Sequence, residues 1–120
     1  MKDFSRFIFE GRHFSKERNR VKPTAFIPWS DSEASVAKIE SLDENSIWQL
    51  GDDIGKLNRG KSSIARGDFN DSEVQAARLA LKIAEPPPRH WHLIGWDISS
   101  KEKQILQAQE LAPLAELHVR

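Results

Sequence analysis

The chain has 120 residues, 38% hydrophobic and 30% charged, with 18 basic and 18 acidic side chains and no cysteine. That length supports one domain, residues 1–120, with a modest core, and the missing thiols exclude disulfides, thiolate zinc sites and cysteine nucleophiles. No apolar run approaches the roughly 18 residues of a membrane helix and "MKDFSRFIFEGRH" lacks the apolar centre of a secretory signal, so a cytoplasmic protein without membrane contact is expected.

The first element is a strand over residues 4–10, "FSRFIFE", aromatic and β-prone with apolar residues on both faces. "GRHFSKERNR" follows as a polar loop, and residues 21–28, "VKPTAFIP", predict a short edge strand bounded by Pro23 and Pro28. Residues 35–40 predict a third strand. The strongest helix starts after Ser41, with Glu44 completing a capping box; Leu42, Ile47, Leu50, Ile54 and Leu57 form its buried stripe, Trp48 flanks it and Gly60 ends it.

Residues 62–69, "SSIARGDF", predict a strand, and residues 70–81 a short helix capped by Asn70 or Asp71. Residues 80–85 either prolong that helix or begin a strand. The three prolines at 86–88 then deliver an extended chain into a strand at 90–94, "HWHLI". A final helix, capped by Ser99 or Ser100, has Ile105, Leu106 and Leu111 as its apolar positions and is broken by Pro113. Strands and helices alternate irregularly, which predicts a single α+β domain with a mixed, mostly antiparallel sheet and about three helices.

The segments "RVKPTAFIP", "SVAKIESL", "IWQLGDDIG" and "PPPRHWHLIGWD" together resemble a family of small, uncharacterised bacterial proteins with no assigned activity. The resemblance spans nearly the whole chain. It implies a free-standing bacterial protein of the cytoplasm and supplies no site residues.

Charge is unevenly placed. Residues 1–22 carry seven basic against three acidic side chains, and residues 31–53 carry seven acidic against one basic. The two segments are expected to neutralise each other in part, while the basic one offers an anion-binding face. Residues 55–62, "GKLNRGKS", fit the phosphate-loop pattern G-x-x-x-x-G-K-[ST]. A working loop of that kind follows a strand and opens a helix, so that backbone N–H groups and the helix N-terminus cradle the anion. Here a helix precedes the motif and a strand follows it, which argues for a helix terminus with glycine punctuation.

His90 and His92 share one face of an extended segment, about 6.5 Å apart, and are half of a metal site at most. Trp91 and Leu93 share the other face, so Trp91 is expected to be largely buried and the histidines more exposed. His118 reads as an exposed tail residue. Arg12–His13 and Arg89–His90 are two Arg-His dipeptides, a chemistry suited to phosphate or carboxylate groups. The candidate ligand-binding residues are therefore Arg12, His13, Arg89, His90 and His92, with no cofactor called for.

The sequence favours a non-enzymatic binding or adaptor protein that engages a protein or an anionic ligand through its basic N-terminal region. A flat apolar patch around Trp29 or Trp96 would mark an adaptor. The alternative is a small phosphoester hydrolase using His13, His90 or His92. No Ser-His-Asp spacing, paired-carboxylate motif or H-E-x-x-H helix supports that alternative. Nucleic-acid binding through Arg12, Arg18, Arg20 and Lys22 lacks a recognisable motif.

Overall fold

The computed structural model describes residues 2–28, 33–58 and 60–120, with the backbone alone at 57 and 58. Trp29, Asp31, Arg59 and the side chain of Leu57 therefore lie outside the described residues. The fold is α+β. Strands β1 (Phe4–Ile8), β4 (Ala34–Lys38), β5 (Ala65–Phe69), β6 (Ala80–Ile83), β7 (His90–Ile94) and β8 (Glu116–Val119) form one sheet in the order β6-β7-β4-β1-β5-β8. Each pairing in it is antiparallel. A separate two-stranded ribbon joins β2 (Phe14–Ser15) to β3 (Arg20–Val21). The helices are α1 (Glu44–Asn58), α2 (Asp71–Ala76) and α3 (Lys101–Leu111).

Strand β1 lies in the middle of the sheet, and its alternation serves two layers. Phe4 and Ile8 join Phe26, Val36, Phe69, Leu93 and Leu111 in the larger core, which α2 and α3 cover. Phe7 points the other way, into a smaller core with Ala37, Ile39, Ile47 and Ile54 beneath α1. Gly51 and Gly55 let α1 approach this closely. A Cβ on Gly51 would lie 2.5 Å from Phe7 Cδ1, and one on Gly55 would overlap the Lys61 carbonyl oxygen.

Several elements depart from the sequence reading. The strand expected over 21–28 is only Arg20–Val21; Pro23 then starts a 3-10 turn, Pro23–Ala25, because its fixed φ suits a first helical position and its missing N–H cannot feed a ladder. The cap of α1 is Asp43, whose Oδ1 accepts from the Ser46 N–H at 2.8 Å, while Ser41 adopts φ +68° in the preceding turn. Asn70 caps α2 through a capping box with Glu73, and Ser100 caps α3. Residues 80–83 take the strand alternative and form a hairpin with β7. The prolines make the turn of that hairpin, with Glu85–Pro86 and Pro86–Pro87 in the cis form, and so bend the chain where extension was expected.

Helix α3 buries Ala108, Leu111 and the following Ala112, while Ile105 and Leu106 face outward. The helix packs against the Pro23–Ala25 turn and α2, which leaves the aliphatic pair at 105–106 on its exposed side. Trp96 is also inside, its indole N–H donating to the Leu93 carbonyl, and presents no apolar patch.

Candidate functional site

The basic N-terminal region builds a pocket. Beyond β1, Glu10 leads into a 3-10 turn over Gly11–His13, held by a His13 N–H to Glu10 carbonyl bond of 3.2 Å. Asn19, at φ +51°, turns the β2–β3 ribbon back on itself, and Lys22 N–H then donates to the His13 carbonyl. This return, followed by the turn at Pro23, places Thr24 against the His13 ring. Arg12, His13, Thr24, Ile27, Pro28 and Lys101 line an open pocket of about 270 Å³. Lys101 comes from the first turn of α3, so the pocket joins the N-terminal region to the C-terminal helix.

Its electrostatics centre on Glu10. That carboxylate accepts from Arg12 Nε at 2.7 Å, lies 3.4 Å from His13 Nε2 and 3.7 Å from Lys61 Nζ. The Arg12 hydrogen bond holds its pKa below the ordinary carboxylate range. His13 is buried, whereas Thr24 is exposed. Thr24 Oγ1 lies 2.9 Å from His13 Nδ1. Since a carboxylate only accepts, Glu10 favours the tautomer with hydrogen on Nε2, and Nδ1 then accepts from the Thr24 hydroxyl.

The other Arg-His dipeptide is elsewhere. Arg89 carbonyl accepts from Lys38 N–H, and Lys38 pairs with Phe4, so Arg89–His90 adjoins the start of β1 while Arg12–His13 lies past its end. The strand separates them by about 13 Å. Arg89, at φ +69°, donates from Nη1 to the carbonyls of Lys38 and Glu40, an arrangement that ties strand ends together. His90 and His92 share a face, as expected, but their exposure reverses the sequence reading: His90 is only 9% exposed, and Trp91 is half-buried. The hairpin turn folds against His90, whose Nδ1 donates to the Ala84 carbonyl. Trp91 packs edge-on to Phe4 as a partly buried neighbour of the larger core, with the Lys38 ammonium over its ring.

The two histidine rings meet edge to face, centroids 4.9 Å apart, and Glu33 contacts His92 Nδ1 at 2.7 Å. Burial, then the neighbouring His92 charge, lowers the His90 pKa. Among the described residues no three His, Asp or Glu side chains are placed to hold a metal ion.

A second charged cluster escaped the sequence reading. Arg66 and Asp68, two apart on β5, point to the α1 side, where Arg66 donates to Glu44 at 2.8 Å and to Asp68 at 3.2 Å. His118 is not an exposed tail residue. It stands on β8 with Nε2 3.4 Å from Asp68 and 3.0 Å from Glu116. Burial raises the Asp68 pKa against the opposing pull of Arg66, Ser5 and His118. The Arg-x-Asp spacing within a strand, which puts both charges on one face, was the available signal. These charges tie α1 to the sheet and link β8 to β5 within it. The acidic segment thus engages later basic residues, Glu44 with Arg66 and Asp52 with Arg120.

Residues 55–62 run from the interior of α1 into the segment before β5, a helix-then-strand order opposite to that of a phosphate loop. Gly55 serves helix packing and Lys61 approaches Glu10. No described helix is long and apolar enough to cross a membrane. No protein family, curated protein or solved structure matches the chain.

Proposed function

We propose that this chain is a binding protein for a small organic anion, held in the pocket between the N-terminal region and α3. The supporting observation is the pocket lining: Arg12 and Lys101 bring positive charge to a cleft that His13 and Thr24 also line and that Ile27 and Pro28 close with an apolar wall. Guanidinium and ammonium groups recognise carboxylate or phosphate, while the aliphatic wall suits a short hydrocarbon or aromatic body. Arg89, His90 and His92 belong to the other end of the sheet and take no part in this reading. A cysteine-free chain of this size fits the cytoplasm, where we place its ligand.

Amide chemical-shift mapping with benzoate and with phenyl phosphate tests the location. Shifts concentrated at residues 12–13, 24–28 and 100–102 support the pocket. Shifts concentrated around residues 84–92, or none, contradict it.

A further inference from the structure

The pocket holds more than an anion binder needs. A buried imidazole lies between a carboxylate and an exposed hydroxyl, with Glu10 3.4 Å from Nε2 and Thr24 Oγ1 2.9 Å from Nδ1. The groups come from two separate local structures: Glu10 and His13 from the Gly11–His13 turn and its cap, and Thr24 from the Pro23–Ala25 turn. The order carboxylate, imidazole, hydroxyl is that of an activated alcohol nucleophile, with the two ring nitrogens exchanged relative to the usual serine arrangement. Both the hydroxyl and the imidazole border the pocket, the hydroxyl exposed and the imidazole largely buried. Thr24 is the middle residue of its 3-10 turn and lines the cleft together with Arg12 and Lys101.

We infer that Thr24 is a nucleophile, with His13 as its base, toward short carboxylic esters that bear an anionic group. This rests on the anion-binding reading of the same pocket, since Arg12 and Lys101 would hold the ester's anion. In the first step Thr24 Oγ1 attacks the ester carbonyl carbon while His13 Nδ1 takes the hydroxyl proton. The carbon–oxygen bond to the leaving alcohol breaks, and His13 returns that proton to the departing oxygen, leaving acyl-Thr24 and free alcohol. Water then attacks the acyl carbon, gives a proton to His13, and releases the carboxylic acid as Thr24 regains its hydrogen. Glu10 acts through His13, as a positioning residue that favours the Nε2–H tautomer and the imidazolium.

Mono(4-nitrophenyl) succinate is the probe, followed by nitrophenolate release and by intact-mass and peptide analysis. The expected result is succinylation mapped to Thr24, lost in Thr24→Val and retained in Thr24→Ser. His13→Gln should slow release by on the order of a hundredfold, the scale of lost general-base catalysis. Among the described residues, Arg6, Arg12 and Lys101 line the cavities beside the ring, and Glu10, itself 3.7 Å from Lys61, lies 3.4 Å from Nε2. Removing the negative one by Glu10→Gln should therefore move the acid limb of the pH–rate profile to lower pH, a displacement that a purely structural role would not produce. Lys101→Ala should raise KM with kcat little changed. Release that persists in Thr24→Val, or an adduct elsewhere in the chain, overturns the nucleophile. Benzoate binding at the pocket without any succinylation overturns the nucleophile and leaves the binding site standing. Absence of both removes the two together.

Discussion

Arg66 stacks on Trp48, its guanidinium carbon 4.7 Å from the ring centroid, beneath α1 on the Phe7 side of the sheet. Arg120 approaches the same ring at 5.3 Å, and Trp48 Nε1 donates to Glu44, which also receives Arg66. Arg66 is almost fully buried, so its charge depends on Glu44 and Asp68 for compensation. Burial opposes that charge, yet these partners raise the Arg66 pKa overall.

Removing the guanidinium leaves Asp68 buried and without its main cation. Arg66→Ala should cost about 3–5 kcal/mol, the range for breaking a buried pair from one side. Glu44 is largely exposed, and Glu44→Gln should cost under about 1 kcal/mol. Urea denaturation of both variants checks the ordering; equal losses would mean that Arg66 is not anchored by its burial.

The closeness of α1 to the sheet makes a second expectation. Gly55→Ala should cost about 1–3 kcal/mol through overpacking against the Lys61 backbone and Phe9. Gly11 has open space around its Cα, so Gly11→Ala should change stability by less than about 0.5 kcal/mol. Thermal melting of the pair decides it, and a Gly55→Ala protein as stable as the parent would contradict the packing described for α1.

His90 supplies a pH dependence. Burial holds its folded pKa below the ordinary value of about 6.5, so the folded protein binds that proton less readily than the unfolded chain. The contribution of neutral His90 is present above about pH 6.5 and is lost as pH falls through the depressed folded value. His90→Gln should flatten the stability profile below about pH 6.5 while keeping a donor for the Ala84 carbonyl. A profile that keeps the parent's slope would assign the dependence to another group.

Trp91 tests the reversal of exposure around the hairpin. Because it is half-buried against Phe4, Trp91→Ala should cost about 1–3 kcal/mol. Phe69 is fully buried, and Phe69→Ala should cost about 3–5 kcal/mol. Equilibrium unfolding that ranks Trp91 above Phe69 would place the tryptophan deeper than its contacts do.

What the sequence revealed follows the range of the forces involved. Alternation in "HWHLI" assigned the faces of Trp91 and His90 correctly, because side-chain direction in a strand is local. Their burial was not legible, since it depends on a proline turn folding over His90 and on which elements cover the opposite face. The order of elements around residues 55–62 was likewise local, and it sufficed to set the phosphate-loop pattern aside. Strand β8 and the role of His118 depend on pairing with β5, roughly fifty residues earlier in sequence, and left no periodic signal in four residues. At the candidate site, Arg12 and His13 were visible as a basic dipeptide. Lys101 and Thr24 were not, because only the ribbon and the docking of α3 bring them to it.

Calorimetric titration of phenyl phosphate tests the binding pocket most directly, using the parent protein, Arg12→Ala, Lys101→Ala and a Lys82→Ala control on the distant edge strand. The pocket predicts one site whose affinity falls as ionic strength is raised toward about 0.15 M. Each of the two pocket variants should lose about tenfold, equivalent to about 1.4 kcal/mol, with Lys82→Ala unchanged. No heat of binding in the parent, or equal affinity in all four proteins, would contradict it.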